Sequence, residues 1–174
     1  MATATTGPIS FRSERYRYAV ELPAGWYIWG EAPGEWTRFD IGYIGPGTDA
    51  FEEDYEGRGT LVNFPGITYG LYVSAEEVTP DVTLEAWADR LAETMHSGSS
   101  CQGAPEREAL TVGGEPALML VYDRTDCSHD HHVFVVGVLH GGRGFDIFWL
   151  ARRGESDARR TDFEAMLRSF EFED

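Results

Sequence analysis

The stretch HHVFVVGVLHGGRGFDIFWLARR, His131 to Arg153, decides the architecture. Split by alternation, Val133, Val135 and Leu139 fall on one side, and Phe134, Val136 and Val138 on the other, so both sides are apolar. Phe145, Ile147 and Trp149 stand opposite Phe148 and Leu150 in the same way, and Ala117 to Tyr122 is nearly continuous. Strands buried on both faces are usually parallel, but the link Gly141-Gly142-Arg143-Gly144 is far too short for a crossover and allows only an antiparallel hairpin. An antiparallel sheet buried on both sides needs a cover on each.

Two segments can supply the covers. Thr83 can cap a helix whose apolar positions Leu84, Trp87, Leu91 and Met95 recur at helical spacing, with Glu85 in the first turn and an end near His96, at Ser97 and Gly98. A second helix runs from Ser156 to Ser169, with Phe163, Met166, Leu167 and Phe170 on one stripe. The expectation is an α+β fold: a three-layer α/β/α sandwich with a central, mainly antiparallel sheet and helices on both faces.

Working outward, Ile9 to Val20 reads as one opening strand stopped by Pro23 and Gly25, and Trp26 to Trp29 restarts an apolar run. Asp40 to Thr60 reads as a long acidic, Gly-rich surface loop. LVNF and ITYGLYV flank a turn at Pro65 and Gly66, and REALTV and PALMLVYDRT flank a hairpin turn at Gly113-Gly114. No repeat or linker divides the chain, so residues 1–10 are expected as a flexible tail and 11–174 as one domain.

With 174 residues and 42% apolar content, one core is enough. A formal charge of −16 excludes nucleic acid as a natural partner, since phosphates would be repelled, and it disfavours an anionic membrane surface. No apolar run is long enough for a membrane span. The start MATATTGPIS has neither the charged nor the apolar region of a signal peptide. A leader trimmed earlier would make the protein extracellular or a component of the cell envelope; otherwise it is cytoplasmic. Lys is absent, and Asn63 and Gln102 are the only side-chain amides, which fits GC-rich coding or a hot habitat.

The densest polar cluster is Asp126 to His132. Imidazole and carboxylate suit Zn²⁺, and His129 and His131 share a side if the segment is extended, so His129, His131 and Asp126 are the candidate metal ligands. The competing reading is a solvated turn with incidental histidines, and no other cofactor is expected. His140 lies about 27 Å from His132 along a strand and cannot join them. His96 is expected to bond the last carbonyls of its helix. Cys101 and Cys127 are the only cysteines; a bridge would tie the helical layer to the sheet, contribute about 3 to 4 kcal/mol, and go with export. The alternative is two thiols in a reducing cytoplasm.

The acidic segment DAFEEDYEG, Asp49 to Gly57, lacks the ligand spacing of a calcium loop and reads as a solvated negative surface. Aromatics crowd the same quarter. Trp29, Trp36 and Tyr43 are the candidate partner-binding residues, the other reading being that the aromatics seal the sheet edge. G-x-S-x-G, Walker, G-x-G-x-x-G and H-E-x-x-H motifs are all missing, so nothing supports catalysis.

YRYAVELPAGW, Tyr16 to Trp26, with the turn Gly113-Gly114-x-Pro116-Ala117 and FEAMLRSFEF, Phe163 to Phe172, resembles the PsbP-like family. That family includes the extrinsic photosystem II subunit, a Ran-binding nuclear import factor and bacterial envelope proteins. The resemblance implies helices on both sides of an antiparallel sheet. It carries over no functional residue, because nothing here matches the photosystem- or Ran-binding positions. The expected function is a non-catalytic binding module of the bacterial envelope or exterior, recognising a protein or another ligand. Competing readings are a metal-binding protein or metal-dependent enzyme built on the turn 126–132, and a structural subunit that self-associates through a sheet edge.

Overall fold

Two pairs of adjacent glycines turn the chain between strands of the large sheet. In the computed structural model, which describes residues 8–14, 16–22, 26–31, 37–42, 67–98, 103–122, 131–152 and 156–173, Gly141 and Gly142 have φ of 56° and 74°. They join β8 (His131–His140) to β9 (Arg143–Arg152). Positive φ at both central positions makes the turn whose twist matches paired strands, and L side chains adopt it reluctantly. The link is therefore shorter than the four residues expected: Arg143 already pairs with His140, and Gly144 with Leu139. Gly113 and Gly114 do the same between β6 (Glu106–Val112) and β7 (Glu115–Tyr122).

These four strands join β3 (Trp26–Glu31), β4 (Thr37–Gly42) and β5 (Ile67–Glu77) in a seven-stranded sheet of order β3-β4-β5-β9-β8-β7-β6, antiparallel at every pair. Asp40, Ile41 and Gly42, expected as the start of the acidic loop, belong to β4.

The opening segment departs further from expectation. Instead of one strand, it folds back as β1 (Ile9–Ser13) and β2 (Tyr18–Leu22), and β10 (Glu171–Phe172) pairs with the other edge of β2 to complete a three-stranded sheet. The turn is made by Ser13, whose Oγ accepts from the Tyr16 amide at 2.9 Å, and by Arg17, which takes φ of 62° and donates its amide to the Ser13 carbonyl at 2.9 Å.

Helix α1 (Leu84–Gly98) starts as expected, with Thr83 Oγ1 accepting from the Ala86 amide at 3.1 Å; α2 spans Ser156–Ser169. The large sheet sends alternate residues into two cores. Trp87, Ala88, Leu91 and Ala92 of α1 pack with Leu120, Tyr122, Val133, Val135 and Phe148. Phe134, Val136, Val138, Phe145, Ile147 and Trp149 pack instead with Tyr18, Val20 and Leu22 of β2 and with Phe163, Met166, Leu167 and Phe170. The described residues are thus α+β with two antiparallel sheets and two helices, and the second core is covered jointly by α2 and the small sheet. Size explains the sharing: a helix of this length spans about 21 Å, whereas seven strands extend about 29 Å side by side.

The joint cover buries rings tightly. Trp149 stacks on Phe163 with centroids 4.6 Å apart, and Phe134 lies 5.0 Å from Trp149. Each such side chain withdrawn from water contributes about 1.5 to 3 kcal/mol. Both helices also reach the edge strand β6, through Asp89–Arg107 at 2.6 Å and Glu108–Arg160 at 3.1 Å; exposed pairs of this kind contribute little stability.

Candidate functional site

Where α1 sits on the sheet, two strand positions carry no side chain. A Cβ placed on Gly144 would lie 2.7 Å from the Trp87 ring, and one on Gly137 would lie 2.9 Å from it, so the indole occupies a trough only glycines leave open. Trp87 Nε1 donates to the Phe145 carbonyl at 2.9 Å. Arg90, one helical turn on, stacks over that indole at 5.3 Å and forms an ion pair with Glu76 of β5.

Beside the trough lies Asp146. It pairs with Gly137 on one side and Ser74 on the other, and its neighbours Phe145 and Ile147 point into the opposite core. The residue as a whole is partly exposed, yet its Oδ1 is buried and has no hydrogen-bond partner among the described residues. Burial, and secondly the negative charge of Glu76, push its carboxyl up to about 7. This arrangement can keep or release one proton near neutrality. Sequence reading missed it, though a signal was present: FDIFWL places one charged residue within a strand that is apolar on both faces.

The sequence-derived candidates are scattered by comparison. Trp29 lies in β3, which ends the sheet among the described residues and whose register shifts between Ile28 and Gly30. Trp36 and Tyr43 fall outside the described residues, immediately before and after β4. Asp126 and His129 also fall outside them, while His131 opens β8 opposite Arg152. Cys101 and Cys127 are likewise outside, and so is the segment 43–66. No group of three or more His, Cys, Asp or Glu able to hold a metal occurs among the described residues.

Two histidines have partners that the sequence did not indicate. His96 donates from Nε2 to the Gly103 carbonyl at 3.0 Å, beyond its helix, instead of bonding the helix's own last carbonyls. It meets Tyr122 edge-on at 6.3 Å; burial pushes that phenol up to about 12, with Arg107 acting weakly against it. His140 donates from Nδ1 to Glu115 at 2.9 Å and stacks on Phe172 at 5.1 Å, at the end of β8 away from the His-rich turn.

The fold has known counterparts. Over 98% of its length the chain aligns with cyanobacterial PsbP (CyanoP) from Synechocystis sp., covering 95% of that protein with a TM-score of 0.61 and 14% identity. It aligns equally fully with the Ran-binding protein Mog1p of Saccharomyces cerevisiae, covering 97% of it with a TM-score of 0.58 and 11% identity. The chain has the PsbP/Mog1 fold. A protein from Bacteroides thetaiotaomicron contains the same fold in half of its length, with a TM-score of 0.58 and 12% identity. No family model matches the sequence, and no curated protein is significantly similar to it. At such identities the PsbP/Mog1 fold carries over architecture and leaves the chemistry of the surface to this chain's own residues.

Proposed function

We propose that this protein is a non-catalytic accessory module that binds a protein partner at the bacterial envelope or outside the cell. The observation that carries this reading is full-length likeness in fold to PsbP and to a Ran-binding protein, the second of which is named for the protein it binds. Contact is assigned to the β3–β4 end of the large sheet, through Trp29, Trp36 and Tyr43. That choice has two supports: among the described residues β3 ends the large sheet, and its pairing with β4 shifts register between Ile28 and Gly30. Trp and Tyr supply large contact areas at low entropic cost.

The test is comparative capture. Immobilised wild-type protein and a Trp29→Ala Trp36→Ala variant are exposed to envelope extracts of the host, and retained proteins are quantified. One partner retained in stoichiometric amount by the wild type, and reduced at least about tenfold by a variant of unchanged thermal stability, supports the reading. Equal retention by both proteins removes the assigned surface.

A further inference from the structure

The seat of α1 combines features that a purely structural contact does not need. An indole fills a trough made by Gly137 and Gly144, its N–H is committed to the Phe145 carbonyl, and its outer face is covered by Arg90, itself held by Glu76. Against this assembly stands Asp146, with one carboxyl oxygen buried and no donor among the described residues to satisfy it. Among the described residues, the charged groups facing this spot are Glu76 from β5 and Arg90 from α1. β8 presents Gly137 and Leu139, and β9 itself presents Gly144 and Phe148. Asp89 of α1 is engaged elsewhere, with Arg107 on β6.

A neutral carboxyl fits this place at modest cost. An ionised one fits poorly, because it would stand beside the glycine trough, near the Glu76 carboxylate, with its Oδ1 unsolvated. The buried Oδ1 gains water when the trough beside it opens, with Trp87 lifting off Gly137 and Gly144 and α1 moving with it.

We propose that Asp146, Glu76, Arg90 and Trp87 form a proton-operated latch that holds α1 down on the sheet while Asp146 is neutral and loosens it once Asp146 is ionised. The idea goes beyond partner binding and does not rest on it. The sign follows from linkage. With the latch closed the carboxyl keeps its proton to about pH 7, whereas in an opened, hydrated state it titrates near the ordinary value of 3.8. Opening therefore becomes more favourable as pH rises through that interval, and levels off above it.

Hydrogen exchange of the intact protein, followed by NMR and corrected for intrinsic base catalysis, tests this. Between pH 5 and pH 7 the opening equilibrium for the amides of Trp87 to Ala92 is expected to rise about tenfold or more, while that for Phe163 to Leu167 in α2 rises much less. In Asp146→Asn the difference between the helices disappears. A parallel change in both helices overturns the latch, as does a pH response of α1 that survives in Asp146→Asn. If that variant fails to fold, the wild-type side-chain carboxyl of Asp146 decides by its own NMR titration: a midpoint near 7 supports the latch, and one below about 5 overturns it.

Discussion

On one side of the seven-stranded sheet, Trp149, Phe134 and Phe163 meet ring to ring beneath α2 and a second, smaller sheet. On the other, α1 lies over a smaller core bordered by Asp146, Glu76 and Arg90. Among the described residues the first side has two covering elements and a continuous aromatic contact; the second has one helix, whose Trp87 indole fills the glycine trough while Ala88, Leu91 and Ala92 pack alongside. The contrast separates two duties. Stability is concentrated where apolar area is greatest, and sensitivity to conditions lies where a titratable group is buried beside the contact.

The largest expected effect lies on the aromatic side. Trp149→Ala should cost about 3 to 5 kcal/mol in urea unfolding, toward the lower end because the buried Trp149 Nε1 has no hydrogen-bond partner among the described residues, so its removal also deletes a polar penalty. A loss below about 1 kcal/mol would show that this side is not the stability reservoir.

Next in size is the pH response of the α1 side. Asp146 holds its proton to about 7 in the folded protein but would release it near 3.8 when unfolded. Its contribution is therefore fully present below pH 3.8 and is lost as pH rises toward 7, by up to about 4 kcal/mol. Other carboxylates add their own dependence, so the measurement is the difference between wild type and Asp146→Asn, taken as unfolding free energy at several pH values. Parallel curves for the two proteins would remove Asp146 from this role.

Smaller, and confined to one helix, is the effect of filling the trough. Gly144→Ala places a methyl group against the Trp87 ring and should cost about 1 to 3 kcal/mol. Exchange protection is expected to fall first in α1, with α2 following only at global unfolding. Equal losses in both helices would mean that the two sides open as one unit.

Much of the frame was legible because it depends on local signals. Alternation in Val133 to Leu139 separated the two cores correctly, paired glycines marked two hairpins, and Thr83 and the Phe163–Phe170 stripe fixed the helices. The small sheet was not legible, for two reasons. Its turn uses Ser13 and Arg17 in place of Gly, Pro or Asn, and its third strand is only two residues long, joined to β2 by pairing between the ends of the described chain. Of the candidate site residues, the fold gives positions to Trp29 and His131, at a sheet edge and a strand start. Asp146 escaped notice because motif searches look for clusters of polar residues, whereas its chemistry comes from the apolar groups around it.

β10 has a consequence for how this protein must be made. Ser169 receives the Glu21 amide at 2.9 Å across 148 residues of sequence, the Glu173 amide reaches the Arg17 carbonyl at 2.9 Å, and Phe170 stacks on Tyr18. During translation the N-terminal hairpin therefore emerges from the ribosome long before its closing strand, with Tyr18 uncovered and one side of β2 unpaired. Until residue 172 follows, the nascent chain carries an open strand edge, the feature through which growing chains pair with neighbours, and slow synthesis or a stall late in the message would prolong that exposure.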